Sequence, residues 1–195
     1  MPLSVFAVLA EGFEEIEAVT PIDVLRRAGF NVTTIGLAGK VVTGSHGIAL
    51  TADRIWDEVA TLTPDVLLLP GGMPGSKHLG EHPGLQEMTH RVAQPNTQPN
   101  TQPERWLAAI CAAPAFTLAS WGLLAGRKAT CYPGFETQFP ADVQYQNEPV
   151  VVDGHIVTAR GPGAAMEFAL QLVAQLQNPA AADTLRTQMQ VTLTH

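Results

Sequence analysis

The chain has 195 residues and 20.8 kDa, with 46% apolar and 15% charged residues, a composition that fills one core and lies outside the low-hydrophobicity, high-charge regime of disorder. Eighteen acidic residues against eleven basic ones leave a net charge of -7; that excludes the basic footprint polyanion binding needs, so no nucleic acid and no acidic membrane surface is expected as a partner. The opening MPLSVFAVLAEGFEE has no basic leader and meets Glu11 after one short apolar run, so neither signal peptide nor membrane span is expected, and cytoplasm is the expected compartment.

Short β-branched runs alternate with stretches of helical period along the whole chain. Strands are expected at 5–9, 32–35, 66–69, 107–110, 150–152 and 156–158, and helices at 14–28, 83–92, 113–121, 164–177 and 181–189. This alternation defines an α/β fold. The runs DVLLLP and WLAAIC are apolar at every position, as central parallel strands covered by helices on both faces must be. Thr20-Pro21 interrupts the first helix; either Thr20 caps a new helix with Pro21 in its first turn, or one helix kinks there. Residues 94–103 read QPNTQPNTQP, a polar repeat with proline in every copy that neither packs as a helix nor pairs as a central strand. It is expected to be an exposed, mobile loop inserted within a single domain spanning 1–195, because the strand at 107–110 needs covering helices from both sides of it.

Chemistry concentrates where strands end. In RWLAAICAAP a buried strand stops at Cys111 and a helix starts through Pro114. Free N–H groups and the positive dipole end at such an elbow favour thiolate, which predicts for Cys111 a pKa below the free-thiol value of about 8.5. The alternative, a small buried hydrophobe, is the commonest fate of a free cysteine. Cys131 has no helix start behind it and reads as packing; in a reducing compartment both are thiols. DVLLLPGGMPG ends in glycines whose backbone N–H groups can serve as oxyanion donors or simply make a tight turn. EGFEEIE places four carboxylates in seven residues, mostly a solvated helix N-terminus suited to the dipole. Glu17 lies four residues after Phe13 on the same apolar face, where a buried, protonated carboxyl can work beside a cysteine, although a surface glutamate is the commoner outcome. TARGPGAAMEFAL is a third strand, glycine turn and helix. The six histidines show no HxxxH, HExxH or cysteine-spaced pairing, so no metal is expected.

Taken together, AEGFEEIEAVTPIDVLRRAGF, DVLLLPGGMPG, LAAICAAP and TARGPGAAMEFAL, in this order over about residues 3–190, resemble the ThiJ/PfpI superfamily in its parkinsonism-associated deglycase (DJ-one) and ThiJ branch. The resemblance implies a flavodoxin-like three-layer sandwich, a homodimer, and a nucleophile-elbow cysteine at Cys111 bonded to a protonated Glu17. It also implies an oxyanion pocket at the backbone of Gly72 and Ala112, and dimer contacts along the first helix with Arg27 reaching the partner's Glu14. No cofactor is implied. Departures are visible: Tyr132 stands where many relatives carry a histidine, and His46 where they often carry an arginine. With Gly161 and Pro162 these two are possible pocket residues. Ala112 after the cysteine disfavours the peptidase branch, and the absence of a downstream His-x-Glu disfavours glutamine amidotransferase. The activity implied is a cofactor-independent glyoxalase or deglycase acting on methylglyoxal or related α-oxoaldehydes. The alternative is a redox-sensing or chaperone-like stress protein using oxidation of Cys111. A role in thiazole monophosphate biosynthesis follows from the ThiJ label alone and from no motif.

Overall fold

The structure, a computed structural model, describes residues 2–95 and 104–192. A seven-stranded sheet is built from β1 (Ser4–Leu9), β2 (Asn31–Gly36), β5 (Arg54–Ile55), β6 (Val66–Leu69), β7 (Trp106–Ile110), β10 (Val150–Asp153) and β11 (Ile156–Ala159), in the order β10-β11-β7-β6-β1-β2-β5. Every pairing is parallel except that of β10 with β11. Two short pairs lie outside it: the hairpin β3 (Val41–Thr43) with β4 (Ala49–Thr51), and β8 (Lys128–Ala129) with β9 (Gln144–Tyr145).

Successive side chains of a strand point to opposite faces, and the central strands divide the core accordingly. Val66, Leu68, Ala108 and Ile110 join one apolar cluster, while Leu67, Leu69, Leu107 and Ala109 join another. The first face is covered by α1 (Glu15–Arg27) and α4 (Ala165–Leu176), the second by α3 (Pro83–Ala93) and by the π-helical segment Pro114–Ala119. Each fully buried leucine on these faces is worth roughly 1.5–3 kcal/mol relative to exposure. The chain is an α/β sandwich with a largely parallel sheet, as its apolar runs require.

Pro21 lies inside α1, which runs as a single helix capped by Glu14 rather than starting anew after Thr20. The β3–β4 hairpin, the two-residue strands and the short helix α2 (Gly75–Gly80) are additions to the expected elements; each is too short to leave a periodic signal. The loop expected at 94–103 lies, from residue 96 onward, outside the described residues. Among the described residues no helix is long and apolar enough to cross a membrane.

Candidate functional site

Three parallel strands, β1, β6 and β7, bring their carboxyl ends side by side, and the turn after each contributes one part of a common site. After β7 the backbone enters the left-handed region at Cys111, with φ 65°, a conformation that costs a non-glycine residue roughly 1–3 kcal/mol and persists only where neighbours enforce it. The enforcing contacts are hydrogen bonds on either side of the residue: Cys111 N–H donates to the Ala159 carbonyl at 2.8 Å, and Tyr132 N–H donates to the Cys111 carbonyl at 2.9 Å. The residue is held at 7% exposure.

After β6, Gly71 N–H donates to Glu17 Oε2 at 3.0 Å, and the Gly71 carbonyl accepts from Glu14 N–H at 2.9 Å. A Cβ on Gly71 would overlap both Glu17 Oε2 and the Cβ of Cys111, so the missing side chain is what lets the carboxyl and the cysteine converge. Gly72 has φ 92° and abuts the backbone of Gly12 to Glu14, which again leaves no room for a side chain.

After β1, α1 delivers three buried carboxyls rather than the solvated acidic turn expected for Glu14 and Glu15. The correction has a simple cause: the turn is covered by the β3–β4 hairpin and by the glycine loop, both of which supply hydrogen-bond donors. Glu14 Oε2 accepts the Glu17 N–H at 2.8 Å and caps the helix. Glu15 accepts from the His46 N–H at 2.8 Å, from the His46 ring at 2.9 Å and from the Ile48 N–H at 3.3 Å. Burial pushes Glu15 up, but these hydrogen bonds, the His46 ring first among them, outweigh it and hold the carboxyl at about 2. His46 is itself raised, chiefly by its bond to Glu15. Ligand atoms of Glu14, Glu15 and His46 lie within 4.8 Å of one another, yet the Glu15 oxygens already serve several donors and Glu14 Oε2 serves one.

Glu17 is fully buried, and its Oε1 has no hydrogen-bond partner. Burial pushes its pKa up to about 8, the Glu14 carboxylate adds to this, and the Cys111 side chain and the Gly71 N–H pull back. A shift in this direction favours the protonated carboxyl near neutral pH. Cys111 does not show the lowered pKa expected from the elbow. Burial pushes the thiol up, and the charge and hydrogen bond of Glu17 push it further; the backbone groups of Gly72 and Ala112 act the other way. The sequence expectation counted the donors of the turn and not the desolvation around it. Cys131, fully buried, is pushed up to about 12 by burial and then by Glu136.

Of the sequence-predicted residues, Cys111, Glu17, Gly72 and Ala112 come together. Tyr132, Gly161 and Pro162 line a separate cavity next to the elbow, whereas His46 sits against Glu15, with a side chain 69% exposed. Arg27 pairs with Asp23 of its own helix at 2.7 Å. No sequence pattern points to Gly71 as steric pivot or to Glu15 as hairpin anchor. Gly71 was visible as half of a glycine pair, but nothing in the hairpin sequence marks the donors that Glu15 receives.

A cysteine on a strand-to-helix elbow, facing a buried carboxyl from the first βα turn of a parallel sheet, defines an elbow-cysteine α/β protein. The chain belongs to the DJ-1/PfpI family, whose model matches residues 3–175. It is 43% identical to protein DJ-1 homolog B of Arabidopsis thaliana over 86% of its own length, and 37% identical to protein dj-1beta of Drosophila melanogaster over 90% of each chain. It spans 37% and 43% of the lengths of the two Arabidopsis relatives, homologs B and A. The solved structure of oxidized Toxoplasma gondii DJ-1 superposes with a TM-score of 0.89 at 38% identity, covering 98% of this chain and all of that one. A glutathione-independent glyoxalase of Caenorhabditis elegans is 31% identical over 90% of this chain and 89% of its own.

Proposed function

We propose that the protein is a cofactor-independent glyoxalase or deglycase whose nucleophile is Cys111. The observation that carries this reading is the convergence of the elbow cysteine with a fully buried glutamic acid at Gly71, burial raising the pKa of that carboxyl. Once Glu17 is neutral its charge no longer opposes thiolate formation, and its O–H becomes a donor toward the sulfur, so the upward push on Cys111 that comes from Glu17 is removed. The thiolate adds to the aldehyde carbon of an α-oxoaldehyde, and the new alkoxide takes the Glu17 proton to give a hemithioacetal. Glu17, now a carboxylate, removes the proton from that carbon and returns a proton to the adjacent carbon, leaving a 2-hydroxy thioester. Water releases the 2-hydroxy acid and regenerates the thiol, so the net change is addition of one water. The backbone N–H groups of Gly72 and Ala112 are the oxyanion donors of this scheme. The name of the nematode relative supports the reaction class.

Methylglyoxal is supplied to the wild type and to Cys111→Ala, and lactate is followed. Lactate from the wild type, and a rate in the variant at least roughly a hundredfold lower, is the expected result; equal rates overturn the assignment.

A second reading, redox sensing, is favoured by one observation: the buried, unpartnered Glu17 Oε1 offers a proton donor to an oxidised sulfur. Two equivalents of peroxide convert the thiolate to a sulfinate and two waters. Mass spectrometry showing two added oxygens on Cys111, with no lactate from methylglyoxal, selects this reading.

The assembly is proposed to be a homodimer seated on α1. Ile16 and Val19 are 53% and 44% exposed on α1, and Ile48 on the adjoining hairpin is 57% exposed, an apolar seam suited to a second copy. Glu14 is buried and engaged at its helix cap, so the seam, rather than an Arg27–Glu14 pair, is the better source of stability. Val19→Asp should then yield a monomer by sedimentation equilibrium.

A further inference from the structure

Where the start of α1 faces the turn of the β3–β4 hairpin, two carboxylates meet one imidazole, and each carboxylate divides its two oxygens between separate tasks. Glu14 Oε2 accepts the Glu17 N–H at 2.8 Å, and Glu15 Oε1 accepts the N–H groups of His46 and Ile48 at 2.8 and 3.3 Å. One oxygen of each is thus tied to the backbone. The other faces the ring: His46 Nδ1 lies 2.9 Å from Glu15 Oε2 and 3.9 Å from Glu14 Oε1. The Glu14 side chain is 9% exposed, yet among the described residues its Oε1 accepts no hydrogen bond. Ser45 Oγ stands beside the other two, 3.4 Å from Glu15 Oε2 and 3.2 Å from His46 Nδ1. Gly44 permits the approach, since a Cβ there would overlap the Glu15 carboxylate. Among the described residues no lysine or arginine lies within salt-bridge distance of Glu14 or Glu15, so two buried carboxyls share one exposed histidine.

Zinc binds imidazole nitrogen and carboxylate oxygen at about 2.0–2.2 Å, which sets tetrahedral ligands about 3.3–3.5 Å apart. The separations of 2.9 and 3.9 Å fall on either side of that spacing, and a ligand atom from each of the three residues lies within 4.8 Å of the others. Small side-chain rotations close the set and leave both backbone-bound oxygens in place. We propose that Glu14, Glu15 and His46 hold a divalent transition-metal ion of the zinc class, which fastens the hairpin turn to the first turn of α1. The ion takes the place of the proton on His46 Nδ1, which leaves to solvent, while the exposed Nε2 keeps its own. Two carboxylates balance the two positive charges, and water takes the fourth position. The imidazole selects a transition ion over magnesium or calcium, and a set without thiolate or thioether disfavours copper(I). His46 stands thirty-one positions from Glu15, so the histidine spacings of the familiar metal motifs do not reveal the set. The inference goes beyond the glyoxalase reading and does not depend on it.

The test uses the whole chain, stripped of metal with a chelator, as wild type, His46→Asn, Glu14→Gln and Cys111→Ala. The asparagine removes only an exposed ring, and the glutamine keeps an acceptor for the Glu17 N–H, so both variants are expected to fold. Zinc is titrated into each protein by calorimetry. The wild type and Cys111→Ala are expected to bind one equivalent per chain with equal affinity, and affinity should fall at least roughly a hundredfold in His46→Asn and in Glu14→Gln. Zinc should raise the melting temperature of the wild type and leave that of His46→Asn unmoved. Cobalt, as a coloured substitute, should give the visible band of a four-coordinate ion without the near-ultraviolet band of a sulfur ligand. The proposal is overturned by the absence of zinc binding, by binding that survives both the His46 and Glu14 substitutions, or by binding that disappears in Cys111→Ala. Methylglyoxal turnover is read separately in the chelated wild type, so a failure of the metal site leaves the glyoxalase reading untouched, and the reverse holds as well.

Discussion

Glu15 and Glu17 are two residues apart at the start of one helix, both buried, and their carboxyl pKa values are pushed in opposite directions. Glu15 faces the β3–β4 hairpin, receives several hydrogen bonds from it and is held at about 2. Glu17 faces the elbow, receives one backbone N–H, keeps one oxygen without a partner and is pushed up to about 8. Burial is the largest single contribution in both, so burial alone does not decide the outcome; the number of donors reaching the carboxyl does. The first glutamate is a fastener and the second a reserve of protons, and their difference yields four expected outcomes.

The largest concerns Glu17→Gln. The folded pKa lies above the ordinary carboxyl value of 4.5, so between pH 4.5 and about 8 the folded protein keeps a proton that the unfolded chain has released. Wild-type stability therefore falls as pH rises through that window, by on the order of a few kcal/mol from this group. Glutamine removes that contribution. Urea melts at pH 5 and pH 8 should show the variant gaining on the wild type as pH rises, while lactate formation falls by about a hundredfold or more. A parallel pair of pH profiles would mean that Glu17 is ionised in the fold.

Next comes Gly71→Ala. Its methyl would overlap Glu17 Oε2, the Cβ of Cys111 and the approach to the Ile110 carbonyl, and two of these three neighbours are fixed by the β7 turn. Overpacking of this kind costs roughly 1–3 kcal/mol. Thermal melts read that loss, and turnover should fall with it because the methyl separates the carboxyl from the sulfur. An alanine accepted without change in either would show that the two groups do not converge there.

How much of this was legible depends on what each residue's environment is made of. The central strands were readable because β6 and β7 are apolar on both faces, and the elbow because Cys111 stands where the apolar run stops and Pro114 opens the next segment. The charge state of Glu17 was open on spacing alone, since its burial is created by Gly71 and Cys111, more than fifty and ninety positions away. From sequence Glu15 looks solvated because its donors come from a hairpin whose strands are three residues long, shorter than any pattern that periodicity detects. The raised thiol of Cys111 is invisible in the sequence for a related reason: N–H groups of a turn can be read from sequence, whereas desolvation is a property of the assembled pocket.

The third outcome tests the fastener. Glu15→Ala strips the acceptor from the His46 and Ile48 N–H groups, and leaving such donors without a partner costs roughly 1–3 kcal/mol. The native contribution is present above pH 4.5 and is lost as pH falls through about 2, so the gap between the two proteins should narrow on acidification. Amide exchange in the 44–48 turn should accelerate in the variant. Unaltered exchange would show that the hairpin holds itself.

The smallest effect is expected at the other end of the same contact. His46 Nδ1 lies 2.9 Å from Glu15 Oε2, with a side chain that is 69% exposed, so water and salt weaken the pair. Its folded pKa is raised above the ordinary imidazole value of 6.5, mainly by the Glu15 hydrogen bond, which fixes the sign. The stabilisation from protonated His46 is fully present below pH 6.5 and is lost as pH rises through the folded value. His46→Asn keeps the backbone donor to Glu15 and removes only the ring. The melting-temperature difference from wild type should be small, larger at pH 6 than at pH 9, and reduced by added salt. A difference of the same size at pH 6 and pH 9 would assign the ring a packing role on the hairpin instead of an electrostatic one, and would leave the acidity of Glu15 to its backbone donors alone.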